Sequence, residues 1–288
     1  MSVEDVFHKL GKSSVYSSKE INNIIIPLAK DLIKAHKKGK TTIVGIQGGQ
    51  GTGKTTLVHL LSAGLKLLGY KVHDFSIDDF YKTFKERNAI RKKYPDNPFY
   101  KISRGLPGTH RVKYMLSVLK KAKAGKPFEI PIFDKSLHNA AGDVLDKHIH
   151  VKKRQDFVLF EGWMVGIPYV SAKSFVHCCE KGNILVKKLD PTLKHSKVVL
   201  KFIKQYEPIW KYFNYFVMMQ PKSLQLHKKW RLHAEKEMKK KTGRGMSAKQ
   251  INAFVEPFLP FTALCYDTIM ADVHILVNSQ HKFYKILD

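Results

Sequence analysis

The chain has 288 residues and carries 51 Lys and Arg against 24 Asp and Glu, a formal charge of +27. At 43% hydrophobic and 11% aromatic it can bury a core, which excludes a basic disordered tail, and no apolar run approaches the roughly 18 residues of a membrane span. Cys178 and Cys179 are adjacent and Cys265 is remote, which excludes a disulfide framework; with an N-terminus that lacks an apolar leader core, this points to a reducing, cytoplasmic compartment.

The first sixteen residues read as a polar, loose lead-in. Ser17 with Glu20 forms a capping box, and Ile21, Ile24, Ile25, Leu28, Leu32 and Ile33 follow at helical spacing as far as Gly39. Strands then alternate with helices. The strands are expected at Thr41–Gln47, Lys71–Ile77, Phe157–Glu161, Tyr215–Gln220 and Val273–Asn278. Helical patterns lie at Thr55–Leu68, Thr109–Ala124, about His195–Gln205, Ser223–Lys241, and from the Ser247/Gln250 capping box onward. Pro27, Pro257 and Pro260 sit inside helical patterns and are expected to kink or divide them. Near-continuous apolar strands separated by helices predict an α/β fold, a parallel sheet covered on both faces. The proline- and glycine-rich stretch 82–108 is too long for an ordinary connection, and such loops are often functional.

Gly48-Gly49-Gln50-Gly51-Thr52-Gly53-Lys54-Thr55 fits the phosphate-loop pattern, and a strand enters it while a helix leaves it. Glycines let backbone N–H groups close around phosphates, and the helix N-terminus adds partial positive charge. Lys54 would reach the β- and γ-phosphates, Thr55 would offer a hydroxyl to Mg²⁺, and Thr56 completes the ATP-binding stretch. Asp78 and Asp79 end the second strand, where an open α/β sheet binds its ligand. One of them is expected to orient and deprotonate an attacking hydroxyl, although a turn or cap role fits at least one of the pair. Glu161 closes the third strand before Gly162, the layout of an acid that holds or orients Mg²⁺.

At this point the chain resembles the plant- and fungal-type D-glycerate 3-kinases, P-loop kinases related to uridine and pantothenate kinases. The resemblance runs in order from about residue 40 to 280. It rests on GGQGTGKTT (48–56), SIDDFY (76–81), SRGLPGTH (103–110), PIFDKS (131–136), LFEGWMVG (159–166), WRLHAE (230–235) and GMSAKQINAFVEPFLP (245–260). It implies one P-loop kinase domain with a five-stranded parallel sheet in the order 2-3-1-4-5. A helical extension at 1–40, an acceptor-side insertion at 82–156 and a lid at 223–246 complete it. It implies transfer of the γ-phosphoryl group of MgATP to D-glycerate. Asp78 would be the base, with Asp79 as runner-up, and Arg231 would be a lid cation acting with Lys54. Asp79, Tyr81, Arg104, Thr109, His110, Asp134 and Lys135 would line the acceptor side.

Two departures stand out. Arg111 follows the G-T-H where the family tends to carry an acid, and 140–144 (AAGDV) lacks the family's arginine. The alternative readings are a kinase for another small acceptor, such as uridine or pantothenate, and a nucleic-acid-stimulated ATPase. No nucleic-acid motif supports the latter. The partners expected are small anionic substrates, with no specific nucleic acid and no membrane, and monomer and oligomer are both left open. The excess of lysine reads largely as a solvated surface.

Overall fold

The structure, a computed structural model, describes residues 1–242 and 247–287. Its main sheet contains β1 (Thr42–Gly48), β2 (Val72–Ser76), β5 (Phe157–Gly162), β6 (Tyr215–Pro221), β7 (Val273–Val277) and β8 (Phe283–Leu287). The order is β2-β5-β1-β6-β7-β8, and every pairing is parallel except β7 with β8. The expected five strands and their order are present, and the sheet has a sixth, antiparallel strand that corrects the five-stranded expectation. A separate hairpin joins β3 (Phe128–Asp134) and β4 (Asp143–Val151). Sequence reasoning missed it because Pro131 and the partly exposed β4 blur the strand pattern.

Ten main helices surround the sheet: α1 (Val3–Gly11), α2 (Ile26–Ala35), α3 (Lys54–Leu67), α4 (Phe84–Lys93), α5 (Val112–Lys123), α6 (Ala172–Lys181), α7 (Lys194–Ile203), α8 (Gln225–Thr242), α9 (Ala248–Val255) and α10 (Leu259–Thr268). Residues 1–16 are not the expected loose lead-in. Ser2 and Asp5 form a capping box for α1, and Val6 and Phe7 are fully buried. The Phe7 ring lies against Gly64 of α3, where a Cβ would come within 2.3 Å of it. Glu20 does more than cap: one oxygen takes the Ser17 N–H at 2.9 Å and the other the Phe283 N–H at 2.9 Å, tying the helix start to β8. A π-turn at Ile21–Ile25 precedes Pro27, and a short 3₁₀ turn at Glu256–Phe258 separates α9 from α10 at Pro257, one of the prolines expected to kink or divide a helix.

The two faces of the sheet carry separate cores. Side chains alternate along each strand, so Ile43, Val158 and Phe160 pack on one face, while Val44, Leu159, Val6, Phe7, Leu28 and Leu61 pack on the other. In register, Ser76 sits opposite Glu161, and Glu161 opposite Ile46. Gly48, Ser76 and Glu161 therefore meet at one end of the sheet, the carboxyl ends of β1, β2 and β5.

Candidate active site

That end opens into a cleft of about 310 Å³ lined by the phosphate loop, Ser76, Asp78, Tyr81, Arg104, Lys135, Glu161, Trp163 and one face of α8. The loop follows from its glycines. Gly51 and Gly53 adopt φ of +79° and +88°, the left-handed region that side chains resist, and Gly53 caps α3 there. Thr52 donates its hydroxyl to the Gly49 carbonyl at 2.9 Å. The amino end of α3 then points Lys54 and Thr55 into the cleft.

Thr55 donates to Glu161 Oε1 at 3.0 Å, and Lys54 Nζ lies 3.9 Å from Oε2. Glu161 Oε2 is buried and has no hydrogen-bond partner. The unbonded carboxylate oxygen and the Thr55 hydroxyl are hard oxygen donors that fit Mg²⁺ shared with nucleotide phosphates, and the Lys54 ammonium beside them suits the phosphates themselves. Among the described residues, no group of three or more His, Cys, Asp or Glu forms a self-sufficient metal cage.

The strand carrying the two acids ends one residue earlier than expected, at Ser76, and Ile77–Phe80 forms a 3₁₀ turn. The cause is local. Asp79 accepts the Ser76 N–H at 2.9 Å while the Ser76 hydroxyl caps Asp78 N at 3.2 Å. Asp79 thus turns back into its own cap, and Asp78 faces the cleft. Tyr81 donates to Asp78 Oδ1 at 2.8 Å, and Lys135 to Oδ2 at 2.7 Å. Burial alone would push Asp78 up; Lys135, followed by the Tyr81 hydroxyl, outweighs it and holds the carboxyl below its usual range. Asp79 goes the other way. Burial raises it to about 6, with Asp78 and Glu161 adding repulsion against the Ser76 N–H.

Behind the cleft, Tyr81 stacks on His110 at 4.5 Å between ring centroids. His110 is buried, bonds Tyr206 Oη through Nδ1 at 2.8 Å, and is pushed down to about 3 by burial, so it is neutral. Thr109 is buried and donates to the Leu106 carbonyl at 2.7 Å. Asp134 accepts from the Ser136 backbone and hydroxyl. None of these three lines the cleft; their contacts shape the loops that do. The expected helix start at Thr109 also shifts to Val112, because residues 109–111 bond across to Phe80 and Lys82.

Arg104 reaches the cleft from a loop held by Gly105, whose φ is +113° and whose carbonyl accepts the Trp163 indole N–H at 3.0 Å. Its guanidinium also donates to the Ala140 carbonyl. Arg231 also lines the cleft, donates to Glu235 at 2.9 Å and lies 5.7 Å from the centre of the Phe254 ring. Of the expected lid, 243–246 lies outside the described residues.

Sequence reasoning missed three supporting groups. Buried His227 bonds the Gln50 carbonyl at 2.7 Å, and Tyr266 accepts the Gly49 N–H at 2.9 Å. Nδ1 of His227 must carry a proton to serve a carbonyl, and burial holds the ring down at about 4, so Nε2 is an acceptor 3.2 Å from Tyr266 Oη. Arg87, fully buried, donates to the carbonyls of Lys82, Ser103, Ala141 and Gly142. It binds three loop segments beside the cleft together. No local motif marks these residues, because each meets partners distant in the chain.

No family model matches the chain. An uncharacterized kinase of Schizosaccharomyces pombe, mug58, is 32% identical over 265 residues, spanning 90% of this chain and 93% of that protein. The chloroplastic D-glycerate 3-kinase of Arabidopsis thaliana is 32% identical over 237 residues, 80% of this chain; the match spans about half (49%) of that relative's length. A D-glycerate 3-kinase structure from Cryptococcus neoformans superimposes with a TM-score of 0.80 at 27% identity, covering 92% of this chain and 96% of that one. The phosphate loop on a parallel sheet and these relatives make the protein an ATP-using phosphotransferase. The chain belongs to the D-glycerate 3-kinase family of P-loop kinases.

Proposed function

We propose that the protein transfers the γ-phosphoryl group of ATP to the 3-hydroxyl of D-glycerate, giving 3-phosphoglycerate, in a reducing, cytoplasmic compartment. The observation that carries this reading is the pairing of Asp78 with Lys135 and Tyr81, within the same cleft as Arg104 and Lys54. A carboxylate-bearing acceptor suits cationic donors, and Arg offers a planar fork for it. Uridine is neutral and gains less from such a wall.

The residues divide the work. The backbone of 48–55 and Thr56 hold the phosphates, and Lys54 offsets charge on the transferred group. Thr55 and Glu161 would hold Mg²⁺, which supplies charge neutralisation on phosphate oxygens when bound. Asp78 orients the acceptor hydroxyl for in-line attack and takes its proton as the new P–O bond forms and the β–γ bridge bond breaks. Its depressed pKa keeps it ionised, which suits a loose transition state that asks more for orientation than for a strong base. Arg104 and Lys135 seat the carboxylate. Asp79, Thr109, His110 and Asp134 act at one remove, by shaping the loops that carry Asp78, Tyr81, Arg104 and Lys135. Arg231 leaves Glu235 to meet the phosphates, and 223–246 acts as the lid. The insertion 82–156 contributes Arg104 and Lys135 to the acceptor side.

The test is product identity. Purified protein with ATP, Mg²⁺ and D-glycerate should yield 3-phosphoglycerate by ³¹P NMR, and Lys54→Ala should yield none. Accumulation of 2-phosphoglycerate, or of no phosphorylated glycerate at all, would overturn the reading.

A further inference from the structure

A dense set of the protein's cations lies away from the cleft. Five segments meet at the amino ends of β1, β2, β5 and β6. They are tied by the Thr42 N–H to the Asp156 carbonyl, the Asp156 N–H to the Lys71 carbonyl, Arg154 to the Gly39 carbonyl at 2.9 Å, and Lys123 to the Asn214 side chain at 2.6 Å. Asn214 in turn accepts the Ile43 N–H at 3.0 Å, so the end of α5 joins the same edge.

The segments 36–41, 69–71, 120–126, 152–156 and 211–214 carry twelve Lys and Arg, all exposed, and one acid, Asp156. The whole chain carries about two cations per acid, so this edge is far richer than the average surface. Asp156 is already committed to the Lys71 N–H at 2.9 Å and lies 3.7 Å from Arg154. Burial and then Lys40 both push the Lys123 ammonium down, a sign of cations crowded together. Such crowding costs stability and needs a compensating role.

Substrate steering does not supply one. The seven residues of β1 separate this pole from the phosphate loop by about 20 Å at roughly 3.3 Å per residue, more than a Debye length at physiological salt. An apolar anchor is also missing: none of the exposed large apolar side chains among the described residues falls in these five segments. A bilayer would be held by charge alone, whereas a nucleic-acid strand needs only phosphate contacts.

We propose that this basic pole binds the phosphate backbone of RNA without reading its sequence, leaving the kinase cleft at the opposite end free. The contacts are ammonium to phosphate, so affinity falls steeply with salt, by about 0.7 log unit per log unit of salt for each strand phosphate neutralised.

The test is fluorescence anisotropy with a labelled 20-nucleotide single-stranded RNA at 50 and 200 mM KCl. A variant with Lys40, Lys126, Lys152, Lys153 and Lys211 changed to Gln should bind at least tenfold more weakly, with a shallower salt slope and unchanged kinase turnover. A control with Lys187, Lys188, Lys194, Lys197 and Lys201 changed to Gln has the same net charge, and should lose less than twofold. Equal loss in both variants would assign any binding to bulk charge and overturn the pole. Failure of the wild type to bind RNA at 50 mM KCl, or binding to phosphatidylserine vesicles but not RNA, would also overturn it.

Discussion

Two neighbouring aspartates with the same sequence context end with opposite electrostatics. Asp78 is held ionised by Lys135 and Tyr81, and Asp79 is raised to about 6 by burial. If Asp78 is the base, Lys135→Met removes the charge that opposes desolvation. The acid limb of the kcat/KM–pH profile should then move to higher pH, because the anion loses its partner. Asp78→Asn should keep ATP affinity and lower kcat by about a thousandfold or more, within the span of general-base effects; near-wild-type kcat would remove that role. For Asp79 the sign reverses. A carboxyl whose folded pKa exceeds its unfolded value destabilises the fold above the folded pKa, and the penalty disappears below the unfolded one. Asn at this position keeps an oxygen for the Ser76 N–H. Asp79→Asn should therefore stabilise by about 1 kcal/mol or more at pH 8 and by little at pH 3, read from denaturant melts. The sequence offered both acids for one role, and only the capping box of the 3₁₀ turn separates them.

The phosphate loop depends on elements beyond its own strand and helix. α8 supplies His227 and α10 supplies Tyr266, and both hold the loop's first turn. Tyr266→Phe leaves the Gly49 N–H unserved, and His227→Leu does the same to the Gln50 carbonyl. Each should raise KM for ATP by about five- to tenfold with a smaller change in kcat, since roughly 1 kcal/mol per lost bond falls on ground-state binding. An equal fall in kcat with KM unchanged would contradict this. α1 makes a second element-scale case. Phe7→Ala opens a cavity over Gly64 and should cost about 3 kcal/mol or more in a denaturant melt. Neither contact was legible in the sequence. The loop, its flanking strand and helix, and the capping boxes at Ser17 and Ser247 were legible because their causes lie within a few residues. Val6 and Phe7 are two apolar residues in a polar stretch, and their weight comes from a helix face 57 residues later.

At the scale of the whole molecule, the sheet order could be expected only through the resemblance, and β8 was missed because the antiparallel edge lies at the chain's end beyond the alternating pattern. The cleft was half legible. Its phosphate-loop side follows one contiguous motif, while the rest of its lining comes from 76–81, 104–105, 135 and 163, beside loops tied together by the buried guanidinium of Arg87. The charge has two meanings in this layout: a few cations converge on the cleft, and a denser set crowds the opposite pole. The claim that binds these observations is that the cleft seats an anionic hydroxy acid. It is tested most directly by kcat/KM for D-glycerate against glycerol and uridine, measured with saturating MgATP at one ionic strength. D-Glycerate should be preferred by about a hundredfold or more, the worth of two charged contacts at 1.5–3 kcal/mol each after partial screening, and the preference should collapse in Arg104→Met. Equal or faster turnover of a neutral acceptor by the wild-type protein would contradict it.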